Sequence, residues 1–177
     1  MSETGRWFDR RFDFALPMEL HPNHRARLRG TPARLEDLTS GLPRDLLTRK
    51  PEGRWSIQEN AGHLLDLEAL WQARAEQFLE GLATLAAADL QNRRTHEADH
   101  NARSLDEILG AFRSTRLAWL ARLDQLTPDD FARTSVHPRL GVPIRLVDHL
   151  FFVAEHDDHH LAQIWELGQT ASRQARH

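Results

Sequence analysis

Eleven histidines stand in a chain that has neither cysteine nor tyrosine, so ligation or proton transfer near neutral pH falls to imidazoles and carboxylates. His156 and His160 are four residues apart. On a helix that spacing puts their Cβ atoms about 5–6 Å apart, close enough for two ring nitrogens to converge on one ion at about 2.0–2.1 Å. At about 100° per residue, His149, His156 and His160 share a face with Leu146, Val153, Ile164 and Leu167, and so point inward. By the same arithmetic His63 lies with Leu67, Leu70 and Phe78 on the inward stripe of another helix. Arg74 falls on that stripe too, where its long stem could carry the charge out to the bundle end. A third imidazole from a facing helix completes an open three-nitrogen site, with positions left for water and substrate. The expectation is one divalent metal ion, zinc or nickel first and manganese or iron as alternatives, on His63, His156 and His160. The competing reading of each is a hydrogen-bonded core histidine, since an imidazole buried without partners costs about 1–3 kcal/mol.

Other residues could serve this site. Glu59 lies one turn before His63, and Asp66 one turn after it and about 60° away; either could accept the distal N–H of a ligating imidazole. Their plainer alternatives are a helix-capping Glu and a solvated Asp. His159 is turned about 60–80° off the stripe and belongs at the rim. His149, two turns from His156, is too far to share an ion and is expected as a buried hydrogen-bonded residue, with a pocket role second. The polar run Thr95-His-Glu-Ala-Asp-His-Asn101 could bring His96, Glu97 or His100 near a substrate, or be a solvated connection. Arg139, in His137-Pro-Arg139, could bind a substrate carboxylate. Glu155, Asp157 and Asp158 are expected on a solvated face, with Asp157 at the rim at most. A di-iron carboxylate centre is excluded, because the one Glu-x-x-His spacing, Glu97 to His100, falls in an expected loop.

Helices must hold these residues. Ser56-Ile-Gln-Glu59 has the form of a capping box and starts a helix that ends at Gly81. Ser104-Leu-Asp-Glu107 opens another, reaching about Leu126. The first helix, about Met18 to Leu42, is expected to break at Gly30-Thr31-Pro32. Residues 89–103 read as loop, Thr127 to Phe131 as a single turn, and His137 to Pro143 as a tight hairpin-like connection. The last helix runs from about Pro143 to Leu167 and stops at Gly168. No useful β-alternation is present, so the fold class is all-α, a four-helix bundle over residues 17–177. Residues 1–16 form an arm that packs on it through Trp7, Phe8, Phe12 and Phe14.

With 177 residues, 40% hydrophobic and 28% charged, the chain has the balance of one soluble globular domain. A net charge of −3 gives no electrostatic case for nucleic acid. No apolar run of spanning length and no signal peptide are visible, so no membrane association is expected and the location reads as cytoplasmic.

Taken together, Trp7-Phe-Asp-Arg10, Arg29-Gly-Thr-Pro-Ala-Arg-Leu-Glu36, Trp55-Ser-Ile-Gln-Glu-Asn-Ala-Gly-His63-Leu-Leu-Asp-Leu-Glu68, Thr95 to Asn101 and Val153-Ala-Glu-His156-Asp-Asp-His-His160-Leu-Ala-Gln-Ile164 resemble the DinB-like superfamily, which includes the YfiT-type metal-dependent proteins. The resemblance implies an up-down-down-up bundle and a metal on three histidines, one on the second helix and an H-x-x-x-H pair on the last. Those positions are His63, His156 and His160. It also implies a small-molecule substrate, either for a hydrolase or for a transferase using a low-molecular-weight thiol such as bacillithiol or mycothiol. A mycothiol-dependent maleylpyruvate isomerase is a further relative, and a non-catalytic, stress-associated metal-binding bundle is the alternative. By the same analogy a homodimer is expected, through an apolar strip of Leu117, Trp119, Leu120 and Trp165.

Overall fold

The structure is a computed structural model that describes residues 5–51 and 53–174, with side chains as far as residue 170. The first four residues of the expected arm and the last three of the chain lie outside it. In chain order the elements are α1 (His21–Thr39), α2 (Arg44–Thr48), α3 (Ile57–Glu80), α4 (Arg93–Glu97), α5 (Leu105–Leu123), β1 (Thr134–His137), β2 (Val142–Arg145) and α6 (Leu146–Gln174), with short 3-10 turns between some of them.

The long helices α1, α3, α5 and α6 form the four-helix bundle. Ion pairs fix their directions. Arg116–Glu68 and Arg122–Glu76 step along α5 and α3 in the same sense, as Arg27–Glu155 and Arg34–Asp158 do for α1 and α6. Arg25–Asp124 and Arg113–Glu36 run α1 against α5, and His63 faces His160 while Phe78 faces His149, so α3 opposes α6. The order is therefore up-down-down-up. Because α3 and α5 are parallel neighbours, the chain between them has to retrace a helix length, which is why the segment from Gly81 to Ser104 is long enough to pass over the cavity.

Local chemistry explains most helix ends. Ser56 and Glu59 form the expected capping box, and Gly81 closes α3 in the left-handed conformation at φ 74°. Ser104 caps α5 in position but makes no side-chain cap bond, so the second expected box is absent. The loop expected over 89–103 contains α4 and a further 3-10 turn. The connection expected from His137 to Pro143 is a hairpin, with Thr134 opposite Arg145 and His137 opposite Val142. Pairing keeps Val142–Arg145 extended, and α6 starts at Leu146 instead of Pro143. Gly168 stays helical, so α6 continues past the expected stop.

The expected break in α1 does not occur: Pro32 sits inside a continuous helix. A proline there removes the hydrogen bond its nitrogen would give to the carbonyl of Leu28. Arg116 supplies the substitute, its Nη1 donating to Leu28 O at 3.2 Å. That arginine is fully buried and also holds Glu68 and Asp157, both at 2.6 Å. Asp157 further accepts from Thr31 Oγ1 at 2.8 Å. Asp157 is thus a core residue with no exposure, not a member of a solvated face, because its charge is compensated from two other helices. The cluster separates two apolar cores, one including Leu28, Trp71, Trp119 and Val153, the other including Leu35, Leu64, Phe112 and Leu161.

From the arm, Trp7, Phe12 and Phe14 pack on the first of these cores, whereas Phe8 is 51% exposed. Trp119 and Leu120 are buried in the same core, so of the expected apolar strip only Leu117 and Trp165 are exposed. Among the described residues no helix is long and apolar enough to cross a membrane.

Candidate metal centre

Near the start of α3 and the middle of α6, three imidazoles face one another. A nitrogen of each of His63, His156 and His160 lies within 4.8 Å of the others, and all three residues are buried. These are the positions singled out by spacing alone. The inward stripe of α6 supplies two at one turn's separation and α3, running the opposite way, supplies the third.

Hydrogen bonds set which nitrogen of each ring is available. Thr95 Oγ1 donates to Asp66 Oδ2 at 2.9 Å, so that hydroxyl can only accept from His63 Nδ1, 3.0 Å away. The proton of His63 is therefore on Nδ1, and Nε2 keeps its lone pair. On the other side, Asn60 Nδ2 donates to Ser56 O at 2.8 Å, which turns Asn60 Oδ1 toward His160 Nδ1, also at 2.8 Å. His160 is protonated on Nδ1 as well. His156 Nδ1 is buried with no hydrogen-bond partner, an orphan that needs a ligand or a proton. Burial, with a smaller opposing pull from Asp66, pushes His63 down to about 4. Burial and the neighbouring imidazoles hold His156 and His160 well below the usual range. Three neutral imidazoles with two fixed tautomers suit a borderline divalent ion such as zinc or nickel.

Behind His63 the network extends further. Burial opposes ionisation of Asp66, yet hydrogen bonds from His100 and Thr95 hold its carboxyl below the ordinary value. His100 Nε2 donates to Asp66 Oδ2 at 2.8 Å, and Arg94 approaches the other oxygen at 3.5 Å. Asp66 therefore serves His63 through Thr95 and is not the solvated residue of the plainer reading. Glu59 does take its plainer role: it accepts from Ser56 N at 2.9 Å and from Lys50 Nζ at 2.7 Å. Gln58 anchors the turn carrying His100 by donating to His100 O and Arg103 O.

The triad opens on a cavity of about 400 Å³. Its walls include Trp7 from the arm, Trp55, Trp71, Arg74, His137, Arg139, Phe152 and His159. Trp55 lies 4.6 Å from the His63 ring, and Trp7 5.0 Å from that of His156. His159, expected at the rim, is 6% exposed and bonds Gln163 at 2.7 Å while lining the cavity; burial and Arg10 lower it to about 4. His149 is buried and bonds Trp71 O at 3.2 Å, as expected. Asp89, Leu90 and Asn92 of the connection line this space, but His96, Glu97 and His100 do not. His96 and Glu97 are exposed, with the His96 ring edge-on to Trp55 at 5.7 Å, and His100 acts behind Asp66. Sequence reasoning missed the aromatic walls and Arg74, whose side chain is buried at 1% exposure instead of reaching the bundle end. Its place on the His63 stripe was the available signal.

A bundle of this connectivity with a buried three-imidazole group facing a cavity defines a class of candidate metal-site helical proteins. Residues 27–164 match the DinB superfamily, and the chain belongs to it. Among solved structures it is similar to YfiT from Bacillus subtilis, described as "a probable metal-dependent hydrolase with an unusual four-helix bundle topology". The identity is 21%, the match covers 92% of this chain and 94% of that one, and the TM-score is 0.81. It is also similar to a mycothiol-dependent maleylpyruvate isomerase at 12% identity, over 82% of this chain and 60% of that one, with a TM-score of 0.64. These likenesses bear on the fold. No curated protein matches the chain.

Proposed function

We propose that the protein is a metal-dependent enzyme acting on a small molecule, either a hydrolase or a thiol-dependent S-transferase, with His63, His156 and His160 holding one divalent ion. The observation that carries this reading is the group of three neutral imidazoles, two with their Nε2 lone pairs set by Thr95 and Asn60, facing a cavity of about 400 Å³. The names of the two structural neighbours, a probable metal-dependent hydrolase and a mycothiol-dependent isomerase, are consistent with it. An ion that only stabilises the bundle calls for a closed site with four protein ligands. Here three such side chains group together among the described residues.

When bound, the ion supplies Lewis acidity. The chain's own residues do the rest. Thr95 and Asp66 hold the His63 ring, and Asn60 holds that of His160. Trp7, Trp55, Trp71 and Phe152 exclude water and pack an apolar substrate body. His159, held by Gln163 at 2.7 Å, adds a neutral polar group to the wall. Any sulfur chemistry needs a cosubstrate, because the chain has no cysteine. The cytoplasm, where thiols stay reduced, suits that requirement.

The deciding experiment is metal content by mass spectrometry on protein purified without nickel affinity, beside His63→Ala and the His156→Ala/His160→Ala double variant. About one ion per chain is expected for the parent and loss in both variants. No bound metal, and none taken up from zinc, nickel, manganese or iron, overturns the reading.

A further inference from the structure

Two arginines in the cavity wall lack what the other buried arginine has. Arg116 is fully buried and compensated by two carboxylates. Arg74 is 1% exposed, yet among the described residues neither it nor Arg139 pairs with a carboxylate. Arg74 Nε donates to Ala86 O at 2.9 Å, and its guanidinium rests 5.5 Å from the Trp71 ring. Arg139 is packed on Phe8 and Phe152, at 5.5 and 5.6 Å. Ring faces hold a guanidinium by its plane and leave the N–H edge free. Arg139 Nη2 is buried without a hydrogen-bond partner.

His137 lies beside them. A guanidinium can only donate, so the contact of Arg74 Nη1 with His137 Nε2 at 3.4 Å makes that ring nitrogen the acceptor. Burial and the two guanidinium charges push His137 down to about 4, and burial with Arg139 brings Arg74 down to about 10. Asp89 is the single carboxylate among the wall residues, and its oxygens are already engaged by Arg93 and the backbone of Gln91 and Arg93. Two guanidinium groups thus meet at this wall, and among the described residues no carboxylate of the wall is free to pair with them.

We propose that Arg74 and Arg139 form a carboxylate-binding subsite, so that the substrate of this cavity is a small organic acid whose carboxylate is held there while its reacting end faces the three histidines. The guanidinium fork matches a carboxylate in a bidentate manner. Trp71 sets the spacing: it touches the Arg74 guanidinium and the His156 ring, each at 5.5 Å. A molecule of a few carbons can span it. The assignment of the reacting end rests on the metal-enzyme reading, whereas the carboxylate subsite does not.

The test is calorimetric titration of the metal-replete protein with succinate and with its uncharged counterpart succinamide. Succinate is expected to saturate and to bind at least tenfold more tightly than succinamide. Arg139→Gln should weaken succinate by about ten- to a hundredfold, the loss of a charged hydrogen-bond partner, with metal content unchanged. Arg74→Gln should act in the same direction; because Arg74 is buried, its melting temperature is measured alongside and the Arg139 variant decides. Equal affinity for the two probes, no succinate binding at millimolar concentration, or indifference to Arg139→Gln overturns the subsite. Repeating the titration after chelation separates the two readings. Arg139-dependent binding that survives supports the subsite even if the protein holds no metal. Binding that vanishes with the metal and ignores Arg139→Gln places the carboxylate on the ion and overturns the proposal.

Discussion

His63 and His160 present their Nε2 atoms to the cavity because Thr95 and Asn60 each take up the Nδ1 side of the ring. For His63 the chain of bonds continues to Asp66, whose carboxylate is itself held by His100. A ligand imidazole oriented in this way binds metal more tightly, and losing such an outer partner commonly costs about 10–100-fold in affinity. Thr95→Val keeps the shape and removes the hydroxyl, leaving the His63 N–H unpaired while Asp66 Oδ2 keeps His100. The metal affinity of that variant, measured by competition with a chelator of known strength, is expected to fall by about that factor while about one ion still binds at saturation. Unchanged affinity would show that the relay does not tune His63. At this scale the grouping of the three imidazoles was legible from helical spacing, whereas spacing offered Asp66 only as an equal choice with Glu59. Thr95 was not legible, because it joins His63 from 32 residues away and a hydroxyl in a polar loop carries no periodic signal.

Most of the machinery lies on one element. From α3 come Asn60 and His63 at the site, Asp66 behind it, Glu68 in the core and Arg74 in the wall. Gly62 lets this helix approach the turn carrying His100: a Cβ at that position would lie 2.2 Å from the His100 ring. Helix propensity alone predicts that Gly62→Ala stabilises the protein by about 1 kcal/mol. The close contact reverses the sign, since His100 is itself buried and tied to Asp66. A net loss of about 1–3 kcal/mol, the usual cost of overpacking, is expected from the denaturation midpoint. A gain in stability would mean that the 3-10 turn at His100–Ala102 yields freely. Element ends set by local chemistry, such as the Ser56–Glu59 box and Gly81, were readable in advance. The break expected at Pro32 was not realised because its remedy, Arg116, comes from a residue 88 positions away from Leu28 in the chain. The hairpin was only half legible, as two four-residue strands are too short for alternation to register.

Arg116 binds the whole molecule together. Its guanidinium on α5 reaches Glu68 on α3, Asp157 on α6 and the Leu28 carbonyl on α1, and Thr31 of α1 completes the set through Asp157. Charges were read one at a time from the sequence, and Asp157 read as solvated for that reason; its partners, Arg116 and Thr31, lie on two other long helices. Burial pushes the Glu68 carboxyl up, against the pull of Arg116, whereas the two carboxylates hold the Arg116 guanidinium charged despite its burial. Removing the one cation by Arg116→Met leaves two carboxyl groups side by side in the core and restores the carbonyl orphaned by Pro32. Breaking a buried pair in this way costs about 3–5 kcal/mol, and in a chain of this size each kcal/mol moves the melting temperature by about 2–4 °C. A fall of roughly 10 °C in calorimetry is the expected outcome. Adding Glu68→Gln and Asp157→Asn to Arg116→Met should recover part of the loss, because the repulsion and desolvation of the stranded carboxylates are then gone. Asp157 follows His156 directly, so the same variant should loosen the metal ligands of α6 and lower ion occupancy as the bundle weakens. A melting temperature within about 2 °C of the parent's would show that the four helices are held by their two apolar cores alone.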